Sequence, residues 1–190
     1  KAGVESIVGE VISINKENKT VELAGGETIK YDKLMLATGS VPIKPKWLTG
    51  ADKDNVFTIP KDKVYLAGMK EKLSSCKKVV VIGAGFIGVE FSDELAKRGH
   101  EVTLVEKLPE ILSLAFDEEL SGRIEELLKS RGVKVITGNG ISEILGEEKV
   151  KAVKLENGEV LESDAVVLSI GYKPNSDLAR QAGIYVDENG

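Results

Sequence analysis

The sequence has very little of the chemistry that cysteine and histidine supply. Among its 190 residues, Cys76 is the one cysteine and His100 the one histidine. A single cysteine can form neither an intrachain disulfide nor a cysteine-rich zinc site. A catalytic triad, a metal-ligand cluster and a phosphate-binding loop ending in Lys-Ser/Thr are missing as well. We therefore interpret Cys76 as an ordinary, partly exposed thiol and His100 as a solvated loop residue.

Long hydrophobic runs and an excess of positive charge are also missing. No apolar run approaches the roughly 18 residues that span a bilayer, and the N-terminus lacks the basic and then apolar pattern of a signal peptide. With 26 Lys and Arg against 31 Asp and Glu, the formal net charge is −5. This acidic balance argues against nucleic acid as a partner. The sequence therefore predicts a cytoplasmic protein that binds neither membranes nor nucleic acid.

The residues that are present predict one or two globular domains. Apolar residues make up 42% of the chain and charged residues 30%, enough for a buried core beneath a charged surface. The chain starts at Lys1 instead of Met and stops at Asp187-Glu-Asn-Gly190, a turn signal with no strand after it. We therefore expect it to be a piece of a longer protein.

The N-terminal part of the chain predicts a small antiparallel β-meander. Short runs of strand-forming residues alternate there with turn clusters. The four runs are Val8–Ile14, Thr20–Leu23, Thr28–Tyr31 and Leu34–Ala37. Two prolines in Val41–Gly50 predict an extended linker at a domain boundary, and Ala51–Pro60 is rich in turn residues. The apolar spacing over residues 61–75 predicts a surface helix.

Residues 79–136 have the pattern of a βαβαβ unit, which forms a parallel sheet and buries its strands. The strands are expected at Val79–Ile82, Val102–Val105 and Val133–Ile136. The first helix carries apolar residues at a spacing of four: Ile87, Phe91 and Leu95. The second is capped by Asp117 and ends at Gly132. Its inner side is expected to consist of Leu120, Ile124, Leu127 and Leu128.

A second antiparallel meander follows and repeats the first. It runs from Ile141 to Ile170, with a tight hairpin turn at Asn157-Gly158. A gapless shift of 132 positions aligns residues 19–42 with residues 151–174, and nine of these 24 positions are identical. A repeat of this length indicates two similar domains, because solenoid units are nearer 20 to 50 residues. The sequence thus predicts the α/β class.

The Gly-x-Gly-x-x-Gly motif formed by Gly83, Gly85 and Gly88 is the strongest functional signal. It follows a predicted buried strand and opens a helix, which is the context of a dinucleotide-binding turn. Gly83 permits the tight turn, Gly85 lets the backbone approach a pyrophosphate, and Gly88 lets helix and strand pack closely. The N-terminus of the helix then faces the phosphates.

Glu106 is expected to select the cofactor. It follows the second strand, 18 residues after Gly88, where a carboxylate accepts hydrogen bonds from the ribose hydroxyls and repels a 2′-phosphate. The sequence therefore favours NAD(H) over NADP(H), although the neighbouring Lys107 could partly accommodate a phosphate. Glu90 has two interpretations of equal weight: a ligand residue, or an acid in the first turn that complements the helix dipole.

Four segments of the chain resemble the pyridine nucleotide-disulfide oxidoreductases, which are flavoproteins with two dinucleotide-binding domains. Tyr31–Ser40, with its Ala-Thr-Gly, resembles the second FAD motif, and Val79–Glu90 resembles the NAD fingerprint. Val102–Glu106 is similar to the strand that follows that fingerprint. Leu168–Asn175 is similar to the signature at which the chain returns to the FAD domain. Within the family, Phe86, Ile87, Gly88 and Glu106 most resemble the branch of NADH oxidases, NADH peroxidases and coenzyme A-disulfide reductases.

The resemblance implies a role for each residue that matches the family motifs. Binding of NAD is implied for seven of them: Gly83, Gly85, Phe86, Ile87, Gly88, Glu106 and Lys107. Gly171 would lie on the nicotinamide side and Glu90 near the carboxamide, while Thr38 and Gly39 would contact FAD. The family's aromatic contact in the loop after the ribose-binding acid falls at Ala115, which has no ring.

The resemblance also implies the domain plan and the activity. Residues 1–49 would be part of an FAD-binding domain, residues 50–170 a Rossmann-like NAD-binding domain with a parallel sheet, and residues 171–190 the return to the FAD domain. The intact protein, a homodimer, would pass hydride from NADH to FAD and on to oxygen, peroxide or a disulfide, whereas this chain alone would bind NAD(H) without activity. Two alternatives stay open: a non-enzymatic NAD-sensing domain, and a ferredoxin, rubredoxin or nitrite reductase-type flavoprotein.

Overall fold

The computed structural model describes residues 3–187. In chain order the strands are β1 (Val11–Asn15), β2 (Thr20–Leu23), β3 (Thr28–Lys30), β4 (Ser40–Pro42), β5 (Val56–Thr58), β6 (Lys78–Ile82), β7 (Glu101–Val105), β8 (Lys134–Ile136), β9 (Ile141–Leu145), β10 (Ala152–Leu155), β11 (Val160–Glu162), β12 (Ala165–Leu168) and β13 (Tyr172–Pro174). The helices are α1 (Lys63–Leu73), α2 (Phe86–Lys97), α3 (Glu118–Ser130) and α4 (Asp177–Gln181). Within residues 3–187 no helix combines the length and the apolar character needed to cross a membrane.

The chain divides into two compact units. Unit 1 consists of residues 1–41 and 173–190, and unit 2 of residues 42–172. The chain passes from one unit to the other within β4 and β13. The turn expected at residues 187–190 lies outside the described residues from position 188 onward.

Unit 1 contains the first meander, with one strand fewer than expected. Strands β1, β2 and β3 form an antiparallel sheet in that order, which confirms the predicted meander. The strand expected at Leu34–Ala37 is wrong: this segment pairs with no strand among residues 3–187, and Met35 is 89% exposed. Apolar composition predicts strand character, but a strand exists only where a neighbour accepts and donates its backbone hydrogen bonds.

Unit 2 is built on a five-stranded parallel sheet in the order β5-β12-β6-β7-β8. Strands β6, β7 and β8 with helices α2 and α3 confirm the βαβαβ unit. Strand β5 was not expected, because Val56–Thr58 lies within the turn-rich stretch and is too short for an alternating pattern. It joins the edge of the sheet by pairing with β12.

The two faces of this sheet carry different layers. Along β6, Val79 and Val81 pack with the helices, whereas Val80 and Ile82 pack with the second meander, which is the antiparallel sheet β9-β10-β11. Because successive strand residues point to opposite faces, a sheet covered on both sides needs the continuous apolar run found in the sequence. The sheet is therefore buried, and its strand ends are available for a site.

The predicted inner side of α3 was partly wrong. Asp117 caps the helix as expected, since its carboxylate accepts the Leu120 N–H at 3.0 Å. Leu128 is buried, but Leu120 and Leu127 are 42% and 49% exposed, and Ser121 is buried instead. Leu120 and Leu127 are each one position from the buried row, and one position rotates a side chain by about 100° around the helix.

The internal repeat is confirmed in the conformation of each meander. Residues 132 positions apart make the same backbone hydrogen bond: the Leu23 N–H donates to the Glu27 carbonyl, and the Leu155 N–H to the Glu159 carbonyl, both at 2.8 Å. The hairpin glycines of the two meanders have φ values of +85° and +89°. The shared residues of the repeat therefore specify the same turn twice.

Candidate functional site

The glycine motif forms a tight turn between β6 and α2. Gly83 has φ +95°, and its N–H donates to the Val105 carbonyl at 2.8 Å. A Cβ at this position would stand 2.5 Å from the Ser169 carbonyl oxygen. Both the positive φ and the close backbone neighbour require glycine here.

The other two glycines differ in what surrounds them. A Cβ at Gly88 would lie 1.9 Å from the Gly83 carbonyl oxygen, so this position is closed by the packing of α2 onto the turn. A Cβ at Gly85 would meet no atom of the described residues within 4 Å. Gly85 is the N-cap of α2, and the first N–H groups of a helix have no partners within it. The open side of the turn thus leaves room for a ligand at the helix N-terminus.

The Glu106 carboxylate is fixed beside this turn. Glu106 directly follows β7, and its backbone N–H donates to the Ile136 carbonyl at 2.8 Å. Its Oε2 accepts the Ala84 N–H at 2.6 Å, and its Oε1 accepts the Leu108 N–H at 2.9 Å. A carboxylate can accept about four hydrogen bonds, so both oxygens keep the capacity to accept ligand hydroxyls.

A cleft of about 560 Å³, here called the glycine-loop cleft, lies beside the carboxyl ends of the parallel strands. It brings together seven of the residues that the sequence analysis selected: Gly83, Gly85, Phe86, Ile87, Glu106, Lys107 and Gly171. In open parallel sheets, ligands bind at this edge. The chemistry of the cleft is that of a dinucleotide site: an open glycine turn for a pyrophosphate and a fixed carboxylate for a ribose.

A family model for pyridine nucleotide-disulphide oxidoreductases matches residues 1–190. The chain belongs to this family. An NADH oxidase from Methanocaldococcus jannaschii is 37% identical over 183 residues, which cover 94% of this chain and 40% of that protein.

Two solved structures of related proteins are similar to the chain along nearly its whole length. One is the ferredoxin reductase for the CYP199A2 system from Rhodopseudomonas palustris, with a TM-score of 0.89, 31% identity, and coverage of 95% of this chain and 45% of that one. The other is the water-forming NADH oxidase from Lactobacillus brevis bound to NADH, with a TM-score of 0.82, 30% identity, and coverage of 95% and 40%. The chain spans 40% or less of the length of its first curated relatives.

Some cleft residues of this family member were missed by the sequence analysis. Asn139 and Gly140 follow β8, Ser169 and Ile170 follow β12, and Trp47 comes from the proline-containing segment. The rule that sites form beyond the carboxyl ends of parallel strands could have found the first four. No sequence signal pointed to Trp47, because its position in the cleft depends on the irregular path of the proline-containing segment, which has no periodic pattern.

The loop after Glu106 packs onto the glycine turn through an aromatic contact. The rings of Phe86 and Phe116 meet edge to face, with centroids 5.6 Å apart. The Leu112 N–H donates to the Ala84 carbonyl at 2.9 Å, and Leu112 adopts φ +54°, which is uncommon for a residue with a side chain. Phe116, one position after Ala115, thus places a ring against Phe86 at the glycine turn.

Two of the selected residues of unit 2 lie outside the cleft. Gly88 is buried under the turn. Glu90 lines a neighbouring groove of about 940 Å³, and Ile87 and Tyr172 line both spaces. The prediction that Glu90 lies in the first turn of the helix is wrong, because α2 starts at Phe86 and Glu90 is the fifth residue of α2. The helix dipole, which fades after the first turn, therefore explains Glu90 poorly.

Thr38 and Gly39 belong to unit 1. Gly39 has φ +72°, and its carbonyl accepts the Asn175 N–H at 2.9 Å. The Thr38 hydroxyl donates to the Asn175 carbonyl at 2.5 Å. Both residues line a cleft of about 500 Å³ within unit 1.

Cys76 and His100 are less exposed in the structure than the sequence analysis predicted. Cys76 is buried, with 6% exposed, because it lies under the start of β6 and packs into the helical layer of the core. Burial raises the pKa of its thiol, and the nearby negative charge of Asp164 raises it further. His100 is half-buried, with Nδ1 2.9 Å from the Cys76 carbonyl oxygen. A buried thiol with a raised pKa is a poor nucleophile, so Cys76 has a structural role in the core.

Proposed function

We propose that unit 2 binds NAD(H) in the glycine-loop cleft. The observation that carries the proposal is the pairing of an open Gly85 with the fixed Glu106 carboxylate in one cleft. The pyrophosphate would accept hydrogen bonds from the first N–H groups of α2, where the helix dipole also favours negative charge. The ribose hydroxyls would donate to Glu106, which disfavours a 2′-phosphate and so selects NADH over NADPH.

The nicotinamide end is assigned to the other side of the cleft. Gly171 lies there, and Ile87 and Tyr172 connect the cleft to the groove that contains Glu90. Tyr172 is held in place because its hydroxyl donates to the Ile59 carbonyl. This continuity supports the assignment of Glu90 to the carboxamide of the nicotinamide.

The domain plan is proposed on the same basis. Residues 50–170 would be the NAD-binding domain, and residues 1–49 and 171–190 would belong to an FAD-binding domain, in which Thr38 and Gly39 contact the flavin. The positive φ of Gly39 and the cleft beside it support this assignment. The flavin would supply the two-electron acceptor, while the residues of this chain bind NADH and orient it.

The longer protein is proposed to be an NADH-dependent flavoprotein oxidoreductase with oxygen, peroxide or a disulfide as acceptor. The NADH oxidase relative supports this choice. The similarity to a ferredoxin reductase supports an alternative acceptor, an iron–sulfur protein. A purely NAD-sensing role gains no support from a family match over the whole chain. The homodimer and the cytoplasmic location stay predictions for the longer protein, and the present chain is expected to bind NAD(H) without catalysing its oxidation.

Calorimetric titration of the chain with NADH and with NADPH tests the proposal. NADH is expected to bind more tightly than NADPH. Glu106→Ala is expected to weaken NADH binding about tenfold, because hydrogen bonds to a charged group are lost. Glu101→Ala is the matched control, since Glu101 lies at the opposite end of β7 and is exposed.

Tighter binding of NADPH, or equal NADH affinity in Glu106→Ala and the wild type, would contradict the proposal. Thermal melting checks the fold of each variant, and Glu106→Gln serves if the alanine variant is unstable.

A further inference from the structure

The glycine-loop cleft contains a second carboxylate, from an element that the sequence analysis did not connect with cofactor binding. Glu156 directly follows β10 in the second meander and lines the cleft. Its Oε1 is 2.9 Å from the Nζ of Lys107, the residue next to Glu106. The one lysine that lines the cleft is therefore already paired with an anion in the described part of the chain.

The position of Glu156 is set by a backbone connection to Glu106. The Glu156 N–H donates to the Gly140 carbonyl at 2.8 Å, and the N–H of the preceding residue, Asn139, donates to the Glu106 carbonyl at 3.1 Å. A Cβ at Gly140 would lie 2.8 Å from the Glu156 carboxyl carbon, so the carboxylate covers this glycine. The loop after β8 thus links the two carboxylates of the cleft.

The charges of this cluster bear directly on cofactor choice. A 2′-phosphate brings about two negative charges, and a free cation beside it strengthens its binding through charge-assisted hydrogen bonds. Lys107 could supply one, but in the observed geometry it neutralises Glu156, and Glu106 remains uncompensated by a side chain of the cleft. Two carboxylates and one ammonium group leave the cluster net negative, which repels a phosphate.

We propose that Glu156 is a specificity-determining residue, which selects NADH over NADPH by keeping Lys107 in an ion pair and away from a 2′-phosphate. This inference rests on the proposed binding of NAD(H) in the glycine-loop cleft. A role in folding is a poor explanation of the pair, because the side chains of Lys107 and Glu156 are 70% and 46% exposed. Ion pairs with such exposure stabilise proteins little.

The test is the ratio of NADPH affinity to NADH affinity, measured by calorimetry on the full chain. Glu156→Gln keeps the size of the side chain and removes its charge. The ratio is expected to rise about three- to tenfold. The ammonium group of Lys107 is then free to pair with the 2′-phosphate, and the repulsion between this phosphate and Glu156 disappears. The same comparison with 2′,5′-ADP and 5′-AMP measures the adenosine end alone and is expected to change in parallel.

Two further variants separate the mechanism from a general change of charge. Glu159→Gln is the matched control, because Glu159 lies on the same hairpin but outside the cleft, with its Oε1 3.7 Å from the Nζ of Lys134. This substitution changes the net charge of the chain by the same amount as Glu156→Gln. Its affinity ratio is expected to stay at the wild-type value. The double variant Lys107→Gln/Glu156→Gln is expected to lose the part of the gain that comes from the freed ammonium group.

Each result has a distinct meaning. Failure of the wild-type chain to bind NADH would contradict the proposed function itself. If the wild type binds NADH but the ratio is unchanged in Glu156→Gln, the role of Glu156 is refuted. A gain that persists undiminished in the double variant, or that appears equally in Glu159→Gln, would refute the part assigned to Lys107.

Discussion

At the scale of single residues, the three glycines of the turn are alike in sequence and different in structure. Position 83 requires glycine because its φ is positive, and position 88 requires it because a Cβ would strike a backbone oxygen. Neither reason applies to Gly85. At the N-terminus of α2, the open side of Gly85 leaves space for a ligand that comes as close as a Cβ would. Gly85 and Gly88 therefore separate a binding role from a folding role within one motif.

Alanine is predicted to lower mainly the stability when it replaces Gly88 and mainly the affinity for NADH when it replaces Gly85. Gly88→Ala is expected to lower the free energy of unfolding by about 1–3 kcal/mol through overpacking against the Gly83 carbonyl. Gly85→Ala is expected to cost less than about 1 kcal/mol of stability, the size of an N-cap effect, and to weaken NADH binding tenfold or more. Urea denaturation and calorimetry measure the two quantities. A Gly85→Ala variant that binds NADH as tightly as the wild type would contradict the assignment of the pyrophosphate site.

At the scale of elements, α2 is held against α3 by an ion pair in addition to apolar packing. Both carboxylate oxygens of Asp93 on α2 accept from Arg131, which caps α3, at 2.8 Å. Lys97 on α2 also pairs with Asp93, at 2.7 Å. Hydrogen bonds first from Lys97 and then from Arg131 lower the pKa of Asp93. The pair thus fixes the far end of the helix whose N-terminus faces the glycine-loop cleft.

The lowered pKa of Asp93 predicts how stability depends on pH. A carboxyl whose pKa is lower in the folded chain stabilises it above the unfolded pKa of about 3.9, and this contribution is lost as pH falls through the folded value. Asp93→Asn is expected to lower the free energy of unfolding by about 1 kcal/mol at pH 7, and the difference from the wild type should shrink below about pH 4. Urea denaturation at several pH values measures both effects.

Glu119→Gln is the control for this prediction. Glu119 pairs with Arg123 within α3, both side chains are exposed, and the pair connects no second element. Its loss is expected to change stability by less than about 0.5 kcal/mol. Equal effects of the two substitutions, or a difference at pH 7 that persists unchanged at pH 3, would show that the Asp93 pair does not hold the helices together.

Elements with a strong local pattern were predictable from the sequence, and those that depend on distant partners were not. The buried strands around Val80 and the hairpin at Gly158 have local signals in periodicity and turn chemistry. The strand expected at Leu34–Ala37 and the unexpected β5 show the limit, because pairing decides both. In the site, the glycine turn and Glu106 were predictable from spacing, whereas the contact of Lys107 with Glu156 joins residues 49 positions apart.

At the scale of the whole molecule, the chain presents the same meander in each of its two units, and unit 2 contains the glycine-loop cleft. Family membership and the geometry of unit 2 together support NAD(H) as its ligand. The chain spans 40% or less of the length of its first curated relatives, and the electron acceptor stays part of the proposal. The function proposed for unit 2 therefore depends on where NADH binds.

A titration of the isotope-labelled chain with NADH, followed through the NMR shifts of its backbone amides, locates the NADH site residue by residue. Binding in the glycine-loop cleft predicts saturable shifts at the turn from Gly83 to Ile87, at Glu106 to Leu108 and near Gly171. The amides of β1 to β3 should keep their positions. Shifts confined to other parts of unit 2, or no shifts at millimolar NADH, would contradict binding in the glycine-loop cleft.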